Sequence, residues 1–488
     1  MAQASLMEDM SAYAIWAVFF LSAYGIWLLF LTIRSWRNPS GNPETFFLAG
    51  KKVGLIPTIL TFWATYISAA AIIGGAGYYY LHGIGNLYFA ICSYTILAII
   101  SGTIGRRFWR LSREYPGVRS PIQLYLRSYN SGALEVFFVI VTLYCMVPYI
   151  ATQITGIARL LEGALGLPYA PTAAAALAVI YLYSESGGIK NIIKTDVVQS
   201  LMTILGCFGV VVAFLWAHWS LDFSAFLADV DAVHEESLLG IPGPNGLYTL
   251  PVLVGIAIML SFGGISMAHN AQRFMMAESE KSLKILMFVF PFMGIATTAM
   301  AGILGLGGAV IFPDLESGDQ IIGTITASVP AIIGAMATIG IIAATMSTAD
   351  SILLSVGFIV SEQRFRGRTD VAPKKILNIH RWFTLGISAF ALVASIKPEL
   401  VTELVFGAFG GMLQLTPAMI VGIYHKNPSK WLGATSAIAG LFILIASTSS
   451  MYQESPFKSL PGYFSGFIAA CLIAALNFRR SPIKQPKD

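Results

Sequence analysis

Residues 343–355 read AATMSTADSILLS and lie between two apolar stretches, SVPAIIGAMATIGII before and VGFIV after. Thr345, Ser347, Thr348 and Ser351 bring four hydroxyls into this segment, and Asp350 brings a carboxylate. On a helix, residues three and four apart are neighbours. Ala344, Ser347, Thr348 and Ser351 then share one stripe, with Asp350 along its edge. A single hydroxyl in an apolar helix commonly bonds back to the preceding turn. Four of them beside a carboxylate exceed that need, and ionisable groups in hydrocarbon usually mark a functional path. Such oxygens suit a small hard cation, Na+, where a broken helix also frees backbone carbonyls. WATYIS, residues 63–68, is the candidate source of those carbonyls.

Asp196 in NIIKTDVVQS is the other carboxylate inside an apolar run. Two readings stay open for it: a salt bridge to Lys190 or Lys194 at the membrane edge, or a ligand or gate for a second cation. Arg159 and Glu162 in TGIARLLEG stand i, i+3 and are expected to pair near the outer end of their helix. Gln153, on another face, is available to a solute. His269 in SMAHNAQRF is expected to be packed or hydrogen-bonded, and matters chemically only if the coupling ion is H+. Tyr66 stands at the expected helix break, apart from the tyrosines of the interfacial belts. GLGGAV, residues 305–310, is not a nucleotide-binding loop, because no strand precedes it.

Elements that position these residues follow from composition. The 488-residue chain is 56% hydrophobic and 11% charged, with apolar runs of about 20 residues from end to end. This excludes a sizeable soluble domain. Only helices or closed barrels satisfy the backbone in lipid, and these runs are too long for barrel strands. Thirteen helical spans are predicted: 11–34, 54–80, 86–105, 131–163, 169–185, 190–218, 248–275, 283–311, 328–361, 377–396, 400–424, 429–449 and 460–477. With the N-terminus outside, 27 of the 30 Lys and Arg, Arg273 included, fall in inner loops or the tail at 478–488. That bias fixes orientation, and the expected location is a cell (inner) membrane. The net charge of +5 thus faces the inner leaflet and implies no nucleic-acid partner. The acidic outer loops, with Asp222, Asp229, Asp231 and Asp319, are expected to be a solvated rim. The four cysteines have no CxxC spacing and read as buried hydrophobes.

Internal symmetry completes the outline. GLIPTILTFWATYISAAAIIGGAGYYY (54–80) and LPVLVGIAIMLSFGGISMAHNAQRF (250–274) each start near a proline and carry small residues mid-span. Five spans apart, they face opposite ways. Interrupted helices in matching positions of two halves point to an inverted repeat around a mid-membrane site. Either stretch alone would be explained by close helix packing.

These segments together resemble the sodium:solute symporter family over nearly the whole chain. AATMSTADSILLS is similar to the family's signature, RLLEGALGLPY and FGGISMAHNAQRF agree in order and spacing, and WATYISAAAIIGGAG looks most like the pantothenate permease branch. The resemblance implies an all-α membrane fold, a LeuT-type five-plus-five inverted repeat in a single transporter domain. The first repeat would span 54–218 and the second 248–424, with one extra span before (11–34) and two after (429–477). It implies a common Na+ site from the carbonyls of Ala64, Ile67 and Ala344 and the side chains of Ser347 and Thr348. A second Na+ would lie among Asp196, Ser347, Asp350 and Ser351. The substrate would meet Tyr66, Ser68, Gln153, Ser261, Phe262 and Gln414, with Arg159, Glu162 and His269 structural or gating. Relatives that carry proline or sugars have Asp or Asn where this chain has Tyr66, which disfavours those solutes. The expectation is Na+-coupled symport of a small organic solute, a pantothenate- or monocarboxylate-like carboxylate, by alternating access. A single chain in the bilayer suffices, and no enzyme chemistry is implied. The alternatives are a solute sensor of the same fold and an H+-coupled carrier.

Overall fold

A computed structural model describes residues 2–37, 43–234, 237–244, 246–366, 368, 371–396, 401–449 and 461–480. Among these residues the secondary structure is helical apart from one isolated parallel bridge between Val53 and Ala277, as backbone satisfaction in lipid demands. Eight helices are long and apolar enough to cross a membrane, and two further bent pairs qualify if each is one span. Lys430–Ala446 (α14) and Gly462–Asn477, within α15 (Gly462–Arg480), are shorter apolar helices. The number thirteen is therefore not fixed by length and composition alone.

Both bent pairs occur in the two stretches singled out for their small residues. α2 (Leu55–Tyr66) and α3 (Ala70–His82) meet at 58°, and α7 (Leu250–Ser266) and α8 (Ala268–Met276) at 59°. Pro57 and Pro251 sit in first turns, where a missing N–H costs nothing. The chain leaves the helix at Ile67 (φ −82°, ψ 106°) and at Met267 (φ −65°, ψ 129°). A π-helical turn adjoins each break, at Ala70–Gly74 and Met259–Gly263. Such turns displace carbonyls from the regular ladder.

Around the breaks pack α4 (Gly85–Glu114), α5 (Gly132–Leu165), α6 (Tyr169–Trp219), α9 (Glu280–Ile311), the short α10 (Ile321–Ser328), α11 (Ala331–Arg364), α12 (Pro373–Ser395) and α13 (Val401–Tyr424). α11 and α13 are the most enclosed, with 78% and 83% of their apolar windows buried. They form the scaffold on which a mid-membrane site can be built. α1 (Ala2–Arg37) lies at the periphery. Its Tyr13 Oη is 2.8 Å from Thr338 Oγ1 of α11, and its Tyr24 Oη accepts from Gln199 of α6 at 2.6 Å.

The expected spans 169–185 and 190–218 are the two parts of α6, which breaks at the non-helical Gly188 (φ 61°, ψ −168°), and Gly187–Trp219 is long and apolar enough to cross a membrane by itself. A Cβ at Gly188 would meet Phe46 O at 2.7 Å, so both conformation and space require glycine. The solvated acidic rim is corrected in part. Asp222 caps the short helix Phe223–Ala232 through the amides of Ser224 and Ala225, at 2.9 and 3.1 Å. Asp319 is buried, and its Oδ2 accepts from Val401 N at 2.7 Å, capping α13. Burial pushes its carboxyl up, to about 6. Several basic residues assigned to inner loops are held in ion pairs: Arg110 with Glu280 at 2.8 Å, Arg119 with Glu362 at 3.0 Å and Arg366 with Glu135 at 2.9 Å.

Candidate functional site

The unwound end of α2 lies against the hydroxyl stripe of α11. Ser347 Oγ reaches Ala64 O at 2.9 Å and Ala344 O at 2.7 Å. Thr348 Oγ1 reaches Ala64 O at 3.1 Å, Thr65 O at 3.2 Å, and both Ile67 O and Ala344 O at 3.4 Å. All five expected ligand residues are buried. A hard cation held about 2.4 Å from each oxygen has adjacent ligands about 3.4 Å apart. The oxygens stand at nearly that spacing, so small outward shifts would seat an ion. Thr65 O is an added ligand candidate that the sequence reading missed.

Asp196 is buried, while Lys190 and Lys194 are exposed. Its partners are instead Thr61, whose hydroxyl donates to Asp196 Oδ2, and Arg273, whose Nη2 is 3.6 Å from the same oxygen. Arg273 is thus not a loop residue. The 59° bend carries it into the interior, where it is 1% exposed and donates to Ser351 Oγ. Ser351 Oγ is 2.8 Å from Ser347 O and 3.3 Å from Asp350 Oδ1. The residues expected around a second sodium are therefore gathered, with a guanidinium among them.

Beside the breaks is a cavity of about 80 Å3. Tyr66, Ser68, Tyr94, Tyr149, Thr402 and Phe409 are part of its lining, which contains no charged side chain. Tyr66 Oη donates to Leu260 O at 2.7 Å, tying the first break to the π-helical turn beside the second. Gln153 is not on the wall. Its Oε1 accepts from Ala69 N at 3.2 Å and so caps the half-helix after the break. Gln153→Ala leaves that buried amide unpaired, and a loss of about 1–3 kcal/mol is expected, read as a lower unfolding midpoint in detergent. Ser261 Oγ turns to Ser93 O at 2.9 Å, and the Phe262 ring lies 5.7 Å from Phe467. Gln414 also lies off the wall, donating to Gly410 O at 2.9 Å and Tyr463 O at 3.0 Å. Arg159 and Glu162 pair at 2.5 Å, and Gln320 approaches Glu162 at 3.4 Å. His269 is buried with its ring 5.7 Å from that of Tyr149.

An oxygen cage beside an uncharged cavity, both built on broken helices, is the arrangement of an ion-coupled carrier. The sodium:solute symporter family profile matches residues 46–440. This chain belongs to the sodium:solute symporter family. Among its relatives in that family is the sodium/pantothenate symporter of Haemophilus influenzae, 25% identical over 431 residues, covering 86% of this chain and 88% of the relative. The Escherichia coli K12 sodium/pantothenate symporter is 26% identical over 417 residues, covering 83% and 85%. Among solved structures, a substrate-bound, outward-open Na+-coupled sialic acid symporter aligns with a TM-score of 0.73 at 16% identity, over 98% of this chain and 99% of that one. MhsT in complex with L-phenylalanine aligns at 0.54 and 13% identity, over 87% and 98%. The fold is thus of the LeuT type. As a sodium:solute symporter the chain is a multi-pass membrane transporter that couples solute movement to Na+, and not an enzyme.

Proposed function

We propose that Na+ bound by Ala64, Ile67, Ala344, Ser347 and Thr348 drives uptake of a small organic carboxylate, pantothenate-like or monocarboxylate-like, across the cell (inner) membrane. One observation carries this reading. Residues 64–68, the last turn of α2 and the break that follows it, hold both sodium-cage carbonyls and cavity wall. An ion that fixes those carbonyls against α11 also fixes Tyr66 and Ser68, so its differential affinity for the two states becomes coupling. The carboxylate is supported by the similarity to sodium/pantothenate symporters. The two bends of 58° and 59° support repeats spanning 54–218 and 248–424. The weight of positive charge in alternate loops supports an N-terminus outside and a C-terminus inside.

The test is uptake of labelled pantothenate into proteoliposomes with an inward sodium gradient. Accumulation is expected with sodium and only background after replacement by choline at fixed pH. Accumulation that follows a proton gradient in sodium-free buffer would overturn the ion assignment. Sodium-driven uptake competed by unlabelled monocarboxylates but absent for pantothenate selects the smaller solute class.

A further inference from the structure

A groove of about 210 Å3 runs between the first turns of α5 and α14, and Leu134, Phe137, Ala434 and Ile438 form its walls. None of its lining residues belongs to the oxygen cage or to the cavity beside the breaks. Both helices start on the side where Lys and Arg gather. Ile438 follows Lys430 by eight residues and so stands about 12 Å deeper, within the roughly 15 Å of hydrocarbon in one leaflet. Trp431 at the mouth is 75% exposed and Ile438 is 53% exposed, so the groove opens sideways onto lipid.

The mouth is basic. Lys430 lines it, with Nζ 5.9 Å from the centroid of the Trp431 ring. Among the described residues no carboxylate forms an ion pair with it. On the other flank the Arg366 guanidinium lies over Gly132, where a Cβ would stand 2.5 Å from Nη1. Its Nη2 is 2.9 Å from Glu135 Oε1. With Glu135 ionised these three side chains leave one positive charge, and with it neutral they leave two. Ser131 adds a hydroxyl to the same rim. Below the rim the four wall side chains carry no polar atom, so a polar solute finds no partner there. A cationic mouth at the interface above an apolar trough in the hydrocarbon matches one molecule of the bilayer, a lipid with a negative head group.

We propose that this groove binds an anionic phospholipid, with its phosphate at Lys430 and Arg366 and one acyl chain along Leu134, Phe137, Ala434 and Ile438. The phosphate bridges three segments, α5, α14 and the residues that follow α11. The site stands or falls independently of the ion and the solute carried.

The experiment titrates the full chain in detergent with phosphatidylglycerol or phosphatidylcholine and reads the first bound lipid by native mass spectrometry. Phosphatidylglycerol is expected to bind about fivefold tighter, the effect of one cation near a charged lipid. Lys430→Gln should remove that preference and leave phosphatidylcholine binding unchanged. Ala434→Phe fills the trough without altering charge and should weaken both lipids. Glycerophosphoglycerol, the same head group without acyl chains, should not compete. Equal binding of the two lipids to the parent, or an undiminished preference in Lys430→Gln, overturns the proposal. Parent-like binding in Ala434→Phe, or competition by the chain-free head group, overturns the acyl-chain seat. Dimers of the parent that dissociate in Ala434→Phe would give the groove to a second copy and overturn it as well.

Discussion

Alanine at Ser347 or at Thr348 is expected to raise the sodium concentration for half-maximal uptake by roughly ten- to a hundredfold, with normal insertion into the membrane. Each substitution removes one oxygen from a cage in which Ser347 and Thr348 reach four carbonyls on two helices at 2.7–3.4 Å. A hydrogen-bond-type contact to a charged group contributes about 1.5–3 kcal/mol, and each 1.4 kcal/mol is a factor of ten. Thr348→Ser keeps the hydroxyl and should stay within a fewfold of the parent. Substrate affinity measured at saturating sodium should change little, since neither side chain is part of the cavity lining. Identical sodium dependence in parent and both alanine variants would remove the cage from the mechanism.

Gly263→Val is expected to separate the two halves of the site. Gly263 ends the π-helical turn near the second break, and a Cβ there would stand 2.6 Å from Phe409 O. The obstacle is backbone, which cannot rotate aside, so α13 must move outward. Overpacking of this kind costs about 1–3 kcal/mol. Phe409 is a cavity wall residue, and its displacement should lower solute uptake at least tenfold. The proposed sodium cage lies on the other break and on α11, so 22Na+ binding should remain within about twofold of the parent. Loss of sodium binding in Gly263→Val would show that the two breaks are not mechanically separable in this way.

The part of the site that was legible in the sequence is the part encoded locally. Ala344, Ser347, Thr348 and Ser351 share a stripe because helix geometry allows nothing else, and four hydroxyls stand out against an apolar background. The paired breaks were legible because small residues recur in two stretches five spans apart. Arg273 was not. An arginine at the end of an apolar run reads as interfacial only if its helix is straight, and the turn at Met267 is visible only in three dimensions. The same bend buries every residue from Ala268 to Met276. Thr61 and Thr65 carried a signal that went unused: two hydroxyls one turn apart, on the helix that leads into the break. Gln414 shows that a polar residue inside a span has two possible destinations. Its amide donates from α13 to Tyr463 O of α15, off the cavity wall.

Two tyrosines tie the peripheral first helix to the helices that carry Ser347 and Asp196. Anything fused upstream of Tyr13 hangs from a post braced on the two helices that carry the proposed ion site. A fluorophore or affinity handle placed there would report on, or perturb, the working parts more directly than one at the opposite terminus. Trimming the chain beyond Tyr24 would remove both braces at once.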